Sequence, residues 1–505
     1  MDSKPTTLEK PTLTVQAFWL MVAKTVGFGL GIALPVILVR VFDRSQYGIF
    51  RQAFVVITTA YSMLSMGVGI SAFYYLPRMS VGRARVVLNI VVFHLVSGLV
   101  PFAVLVFYPQ VLARLFGGPE LLPYASLIGA VMLLTIFSSF LENIATALQD
   151  VRSSTVFIVL AQFSKVILMT AAALILRSIE GLLWAAVAQG LLQSGILLWY
   201  LRDRFGAFWK AWDWPFFREQ MAYALPYGLY GLLSTAQSDL HNFFVAHAFG
   251  PGAFAIYAIG CMQIPLLTLL RDSINAVLIT RISELQQRGE TREIVLTMIR
   301  AMRKTALIYL PSCALLAVLG RPLIVFVYTA DYEASWPIFG INLLMLPILV
   351  FMTDPVVRAY PQHRYFVVQV RIALVALQCI VLWLAVRSIG LTGAVSVVVI
   401  VAALERLIVT LRVASILHVR LADLRLFGGI VRIGLVSAAA GLAAWLLRAA
   451  LGGTPPVLLL ALCSAVFALV FLGLMVAFGL FEPEERELLR SRLVRLRGAA
   501  TGAGL

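Results

Sequence analysis

Residues 14–76 read TVQAFWLMVAKTVGFGLGIALPVILVRVFDRSQYGIFRQAFVVITTAYSMLSMGVGISAFYYL, two long apolar runs separated by the short polar turn FDRSQ. Each run exceeds the ~20 residues that a helix needs to cross about 30 Å of hydrocarbon. The runs are too long and unbroken for the alternating strands of a barrel, and in lipid only helices or closed barrels satisfy their backbone groups. The reading extends to the whole chain. Of its 505 residues, 61% are apolar and only 13% charged, against roughly a quarter charged in a soluble domain. The expected fold is an all-α integral membrane protein.

Similar runs recur at 84–108, 121–148, 152–177, 181–201, 223–249, 254–280, 303–328, 336–358, 364–387, 391–417, 428–449 and 456–480. With 14–41 and 47–76 they make about fourteen spans, an even number that puts both termini on one side. About 28 Lys and Arg fall on the terminal side of these spans and about 8 on the other, which predicts cytoplasmic termini. Topology therefore accounts for the net charge of +16 without a nucleic-acid partner. Lys4 and Lys10 precede the first run with no small-residue cleavage site, so a retained helix is expected. The cysteines, Cys261, Cys313, Cys379 and Cys463, sit inside spans without metal spacing and read as packing residues.

The chain also resembles itself. VFDRSQYGIF at 41–50 matches AFGPGAFAIY at 248–257, and RSIEGLLWAAV at 177–187 matches RSIGLTGAVSV at 387–397, both offset by about 210 residues. A parallel repeat of six helices follows, with two lobes around a central cavity and two appended C-terminal helices. The expected divisions are an N-terminal lobe at 1–201, a cytoplasmic linker at 202–222, a C-terminal lobe at 223–420, helices thirteen and fourteen at 421–480, and a cytoplasmic tail at 481–505. Trp209, Trp212 and Trp214 beside Lys210 and Arg218 place the linker at headgroup level. Leu489, Leu493 and Leu496 make the tail a surface helix with a basic end toward anionic lipid.

Charges inside the spans carry the functional reading, because each costs at least about 2.5–3.5 kcal/mol at mid-bilayer unless it meets a partner or water. Lys24 in the first span and Arg271 in the eighth each lie roughly 15 Å deep. If the repeat holds, they point into one cavity from opposite lobes. Arg51 near the outer end of the second span adds a third cation, with snorkelling as its bland alternative. Lys165 lies mid-span in the fifth helix, either a ligand or the ion-pair partner of Glu142. Asp272 is a local counter-charge for Arg271.

The intramembrane acids are Glu142, Asp239, Asp354 and Glu405. Asp239 stands in the polar patch STAQSDLHNFF with Gln237, His241 and Asn242. Asp239 and Glu142 are candidates for coupling to H⁺ or Na⁺, against a structural hydrogen-bond cluster. Asp354 and Arg358, one turn apart, read as a local pair, and Arg406 beside Glu405 as one side of a pair across helices. No phosphate loop, HExxH helix or GxSxG elbow occurs, the five histidines are scattered, and the outer loops are too short to build a catalytic site. A transporter is expected, not an enzyme, and no cofactor or metal.

The basic-ended first helix, the FDRSQYGIF loop, the following MGVGISAFYYLPR and the tail FEPEERELLRSRL together resemble the polysaccharide transport family. That family contains the Wzx-type O-antigen exporters of the multidrug/oligosaccharidyl-lipid/polysaccharide superfamily. The resemblance implies two six-helix lobes in a V, alternating access, and a bacterial inner-membrane location. It implies an undecaprenyl-diphosphate-linked glycan as substrate, moved to the periplasmic leaflet for lipopolysaccharide or related polysaccharides. A polysaccharide polymerase and a chain-length regulator are the implied pathway partners. The related lipid II flippases hold the diphosphate with cations on the first, second and eighth helices, where this chain has Lys24, Arg51 and Arg271. Alternatives are a multidrug extruder of the same fold, a membrane glycosyltransferase or polymerase, and an assembly scaffold without transport.

Overall fold

A computed structural model describes residues 25, 27, 29, 31, 33–79, 81–360 and 364–481. The tail from 482 and most of the first expected span lie outside the described residues. Everything regular among the described residues is helical. The last turns of α1 (33–41) lead into the polar turn, and Asp43 caps α2 (Arg44–Leu64). Its carboxylate accepts from Gln46 N at 2.8 Å, while the Gln46 side chain accepts from Asp43 N at 3.3 Å. This capping box explains why FDRSQ is a sharp turn and where the second span starts.

The second span is not one straight helix. Met66 (φ 42°) and Gly67 (φ 63°) break it after Leu64, and α3 (Ala72–Arg78) continues at a 42° bend. The helices α4 (Arg83–Phe107), α5 (Gln110–Phe116), α6 (Ala125–Ser138), α7 (Leu141–Ala147), α8 (Val151–Ile175) and α9 (Ile179–Phe205) follow. Next comes α10 (Trp214–Gly260), which turns at Gly250 (φ 72°, ψ 179°) just before Pro251. Then come α11 (Pro265–Gln287), α12 (Thr291–Tyr328), the short α13 (Trp336–Asn342), α14 (Met345–Leu349) and α15 (Asp354–Ala359), and α16 (Arg364–Ser388), α17 (Leu391–Ile416), α18 (Gly428–Ala450) and α19 (Pro456–Ala477).

Eleven described helices are long and apolar enough to cross a membrane, twelve with the bent α2–α3 pair. The chain is thus a multi-pass membrane protein, and the described residues account for twelve of the fourteen expected spans. The first span falls largely outside the described residues. The eighth, expected at 254–280, is interrupted at 261–264, and its second half, α11, carries Arg271, Asp272, Arg281 and Glu284 and is too polar to count. The tenth, expected at 336–358, still counts as a span over Ala330–Leu349, although it is broken between α13 and α14 and ends before α15. Hydropathy averages over such breaks, which is why the runs looked continuous.

The helices gather into two compact units, Met1–Leu266 with Val368–Val401, and Leu267–Val367 with Ala402–Leu505. In the first, Val68, Ala72 and Leu76 pack with Val86, Val87 and Ile90 of α4, Phe140 and Ile144 at α7, and Leu197 and Leu201 of α9. The start of α10 is tied into this core. Gln220, fully buried, accepts from Asn89 Nδ2 at 3.0 Å and donates to Ser71 Oγ at 2.8 Å. Asp213 caps α10 through Phe216 N and pairs with Arg85 at 2.7 Å. Residues 214–222, expected within a linker, are thereby the docked first turns of a membrane helix. In the second unit Ala440 and Ala444 of α18 let it approach α12, with Gly441 placing a would-be Cβ 3.4 Å from Ala314 Cβ. Small residues at such crossings are the usual means of close packing where lipid offers no hydrophobic drive. Cys463 is buried in that core, and all four cysteines are free thiols.

Candidate functional site

Three groups of polar side chains within the first unit are candidates for function, and α2 borders each of them. Arg51 and Thr59 are eight residues apart on one face of α2, about 12 Å along its axis.

At Arg51 the chemistry is cationic. Lys165 of α8 places its ammonium 5.7 Å from the Phe54 ring centroid, one turn along α2, and lies within electrostatic reach of Arg51. Arg51 Nε is buried without a hydrogen-bond partner. Among the described residues no carboxylate forms an ion pair with either cation, so Lys165 does not pair with Glu142. Two like charges held together in an apolar helix layer repel, and the aromatic face offsets only a part of that cost. The two side chains offer positive charge within electrostatic reach of each other.

Glu142 opens α7 just after the interruption at Ser139 and Phe140. It lines a cavity of about 150 Å³ with Ser138, Ser139, Ser164 and Gln193, and acts electrostatically on Tyr61 of α2. Broken helices of this kind line polar sites in membrane transporters.

Thr59 donates to Asp239 Oδ2 at 2.6 Å, joining α2 to α10. Around Asp239, Gln378 of α16 donates to the Gln237 carbonyl at 3.1 Å, and buried His241 shares a 2.8 Å hydrogen bond with Tyr257. Asp239 and the Gln237 carbonyl thus meet partners on other helices, His241 meets one farther along α10, and half-buried Asp239 accepts from the Thr59 hydroxyl. No cluster of three metal-ligating side chains occurs among the described residues.

Of the remaining expected residues, Lys24 lies outside the described residues. Arg271 belongs to the second unit, half-buried on α11, where it acts on Tyr309, whose hydroxyl donates to the Leu267 carbonyl at 2.7 Å. No ion pair joins Arg271 to Asp272 among the described residues. Asp354 pairs with Arg406 of α17 at 3.4 Å, and no ion pair joins it to Arg358 among the described residues. Sequence reasoning overlooked Arg371, which stands 4.8 Å over the Tyr230 ring. Its charge within the 364–387 run was the available signal. Thr59 left no such signal, since a threonine in an apolar helix is ordinary until its partner is seen.

The family profile described as Polysaccharide biosynthesis protein matches residues 37–337. No curated protein sequence matches the chain. Among solved structures, the chain is similar to the lipid II flippase MurJ in an inward closed conformation, with a TM-score of 0.68 and 14% identity over 91% of this chain and 98% of that one. It is similar to an inward-facing multidrug resistance MATE family transporter of the MOP superfamily, with a TM-score of 0.64 and 14% identity over 79% of this chain and 98% of that one. A MOP superfamily transporter from Pyrococcus furiosus aligns with a TM-score of 0.59 and 14% identity over 83% and 99% of the two chains. At these identities the likeness establishes a shared fold.

Proposed function

The chain belongs to the polysaccharide biosynthesis protein family, and on that premise we propose that it is a membrane flippase for an undecaprenyl-diphosphate-linked oligosaccharide. It carries the glycan from the cytoplasmic to the periplasmic leaflet of a bacterial inner membrane by alternating access. The observation that carries this reading is the Arg51–Lys165 pair, two electrostatically coupled basic side chains within the helix layer that form no ion pair with a carboxylate among the described residues. A lipid diphosphate brings about two negative charges that cannot enter hydrocarbon unaided. Arg51 presents a planar fork and Lys165 a rotatable point charge, so together they neutralise the diphosphate without fixing it rigidly. A carrier has to release its load, and two mutually repelling basic groups repel again once it has gone. That limits affinity, as transport requires. Lys24 and Arg271 are further cation candidates for the same cargo.

Asp239 and Glu142 are the candidates for H⁺ or Na⁺ coupling. Asp239 joins α2 to α10 through Thr59, so a proton or cation taken up there would change a contact between two helices. The membrane lipids and, in the pathway, a polymerase and a chain-length regulator are the expected partners.

The test is translocation in proteoliposomes of a fluorescent undecaprenyl-diphosphate oligosaccharide, comparing wild type with Arg51→Gln/Lys165→Gln. Loss of about two hydrogen-bonded charge contacts predicts a fall of at least tenfold. Wild-type translocation that persists in the double variant would sink the assignment of the cargo site.

A further inference from the structure

Another group of side chains lies outside these candidate sites, at the end of the first unit that the distribution of basic residues assigns to the cytoplasm. Tyr74 of α3 and Tyr223 of α10 stack with centroids 4.5 Å apart and planes 28° from parallel. The Arg78 guanidinium stands 4.0 Å from the Tyr74 ring centroid, fixed by a hydrogen bond to the Tyr74 carbonyl. Tyr75 packs edge-on against both rings and against Phe216, and its hydroxyl reaches Glu219 at 3.5 Å. Despite this mutual packing, Tyr74 remains 38% and Tyr223 49% exposed, and Glu219 is exposed beside them.

The chain geometry builds this arrangement deliberately. The Met66–Gly67 break swings α3 by 42°, and at Gly228 a Cβ would fall on the Met66 carbonyl, so only glycine lets α10 lie against the break. The buried Asn89–Gln220–Ser71 chain then pins the α10 turn that carries Glu219 and Tyr223.

We propose that the Arg78–Tyr74–Tyr223 stack with Glu219 is a carbohydrate platform that takes a pyranose ring of the lipid-linked glycan as it enters; this rests on the flippase reading above. The axial C–H bonds of a pyranose carry slight positive charge and lie well on the electron-rich face of an aromatic ring. Its equatorial hydroxyls need donors and acceptors around the rim, which Arg78 and Glu219 supply. Tyrosines that merely anchor a helix at the headgroup level need neither a stacked partner nor a flanking acid. Stacking tolerates different sugars, since most pyranoses offer an apolar face, whereas the cations are reserved for the diphosphate.

The test uses full-length protein in phosphatidylethanolamine/phosphatidylglycerol nanodiscs with two probes, undecaprenyl diphosphate and its N-acetylglucosaminyl form. Wild type should bind the glycosylated probe about three- to tenfold tighter, the worth of an aromatic stacking contact. Tyr74→Leu/Tyr223→Leu should abolish that ratio while leaving affinity for the bare diphosphate within about twofold. Tyr74→Phe/Tyr223→Phe, which keeps the rings, should retain it. Should the leucine variant not fold, Glu219→Gln and Arg78→Gln serve instead, each reducing the ratio at least about twofold. A ratio unchanged in these variants overturns the platform, and the tyrosines are then interfacial anchors. A wild type that binds the bare probe without preferring the sugar overturns the platform and spares the flippase reading. A wild type that binds neither probe overturns both.

Discussion

The backbone of Gly48 lies so close to the Pro251 carbonyl that a Cβ there would overlap the oxygen. These residues belong to the two segments, 41–50 and 248–257, that resemble each other in sequence. The matched turns thus meet at the start of α2 and just past the Gly250 turn of α10. Gly48→Ala should destabilise by about 1–3 kcal/mol, because the obstacle is backbone and cannot rotate away. Gly252→Ala, with open space around its would-be Cβ, is the internal control and should be neutral or slightly stabilising. Thermal unfolding of the two variants in detergent checks this; equal midpoints would refute the contact.

Gln220 joins three helical segments by side-chain hydrogen bonds in a site without solvent exposure. Gln220→Ala should cost about 1–3 kcal/mol by leaving the buried Asn89 amide without its acceptor and removing the bond to Ser71. A double-mutant cycle with Asn89→Ala should show coupling of about 0.5–3 kcal/mol. Additive losses in unfolding midpoint would mean the network is not a unit.

Lys165→Met removes one of two repelling cations and keeps the side chain's bulk. Stability should therefore rise or stay level while translocation falls about tenfold or more, the trade-off expected where a functional group is held at a cost. A variant that loses stability and transport together would instead mark Lys165 as a structural residue.

If Asp239 couples an ion, Asp239→Asn should uncouple transport from the H⁺ or Na⁺ gradient, and Thr59→Val should weaken that dependence through the lost 2.6 Å hydrogen bond. The measurement is uptake rate against imposed pH and Na⁺ gradients. An unchanged gradient dependence in Asp239→Asn would remove the residue from the mechanism.

Much of the architecture was legible because the bilayer imposes a single length scale. The boundaries of α4, α8, α9, α16 and α17 fall within a few residues of the apolar runs, and Asp43 and Gln46 announce their own turn. The interruptions at Met66–Gly67, at 261–264 and between α13 and α15 were not legible, since a hydropathy window averages over two or three irregular residues. The candidate site's charged members were legible. Arg51, Lys165, Glu142 and Asp239 stand out as costly charges in apolar runs. Arg371 bears the same mark and was passed over, while Thr59, Tyr74, Tyr223 and Gln220 bear none.

The amino-acid sequence by itself determined that this chain lives in a membrane as many helices, because nothing else satisfies the backbone of such long apolar runs. It also named most of the charges that must be accounted for. Tertiary structure alone decided which of those charges meet. Thr59 and Asp239 are 180 residues apart, and no local pattern encodes a contact that arises only when two helices pack.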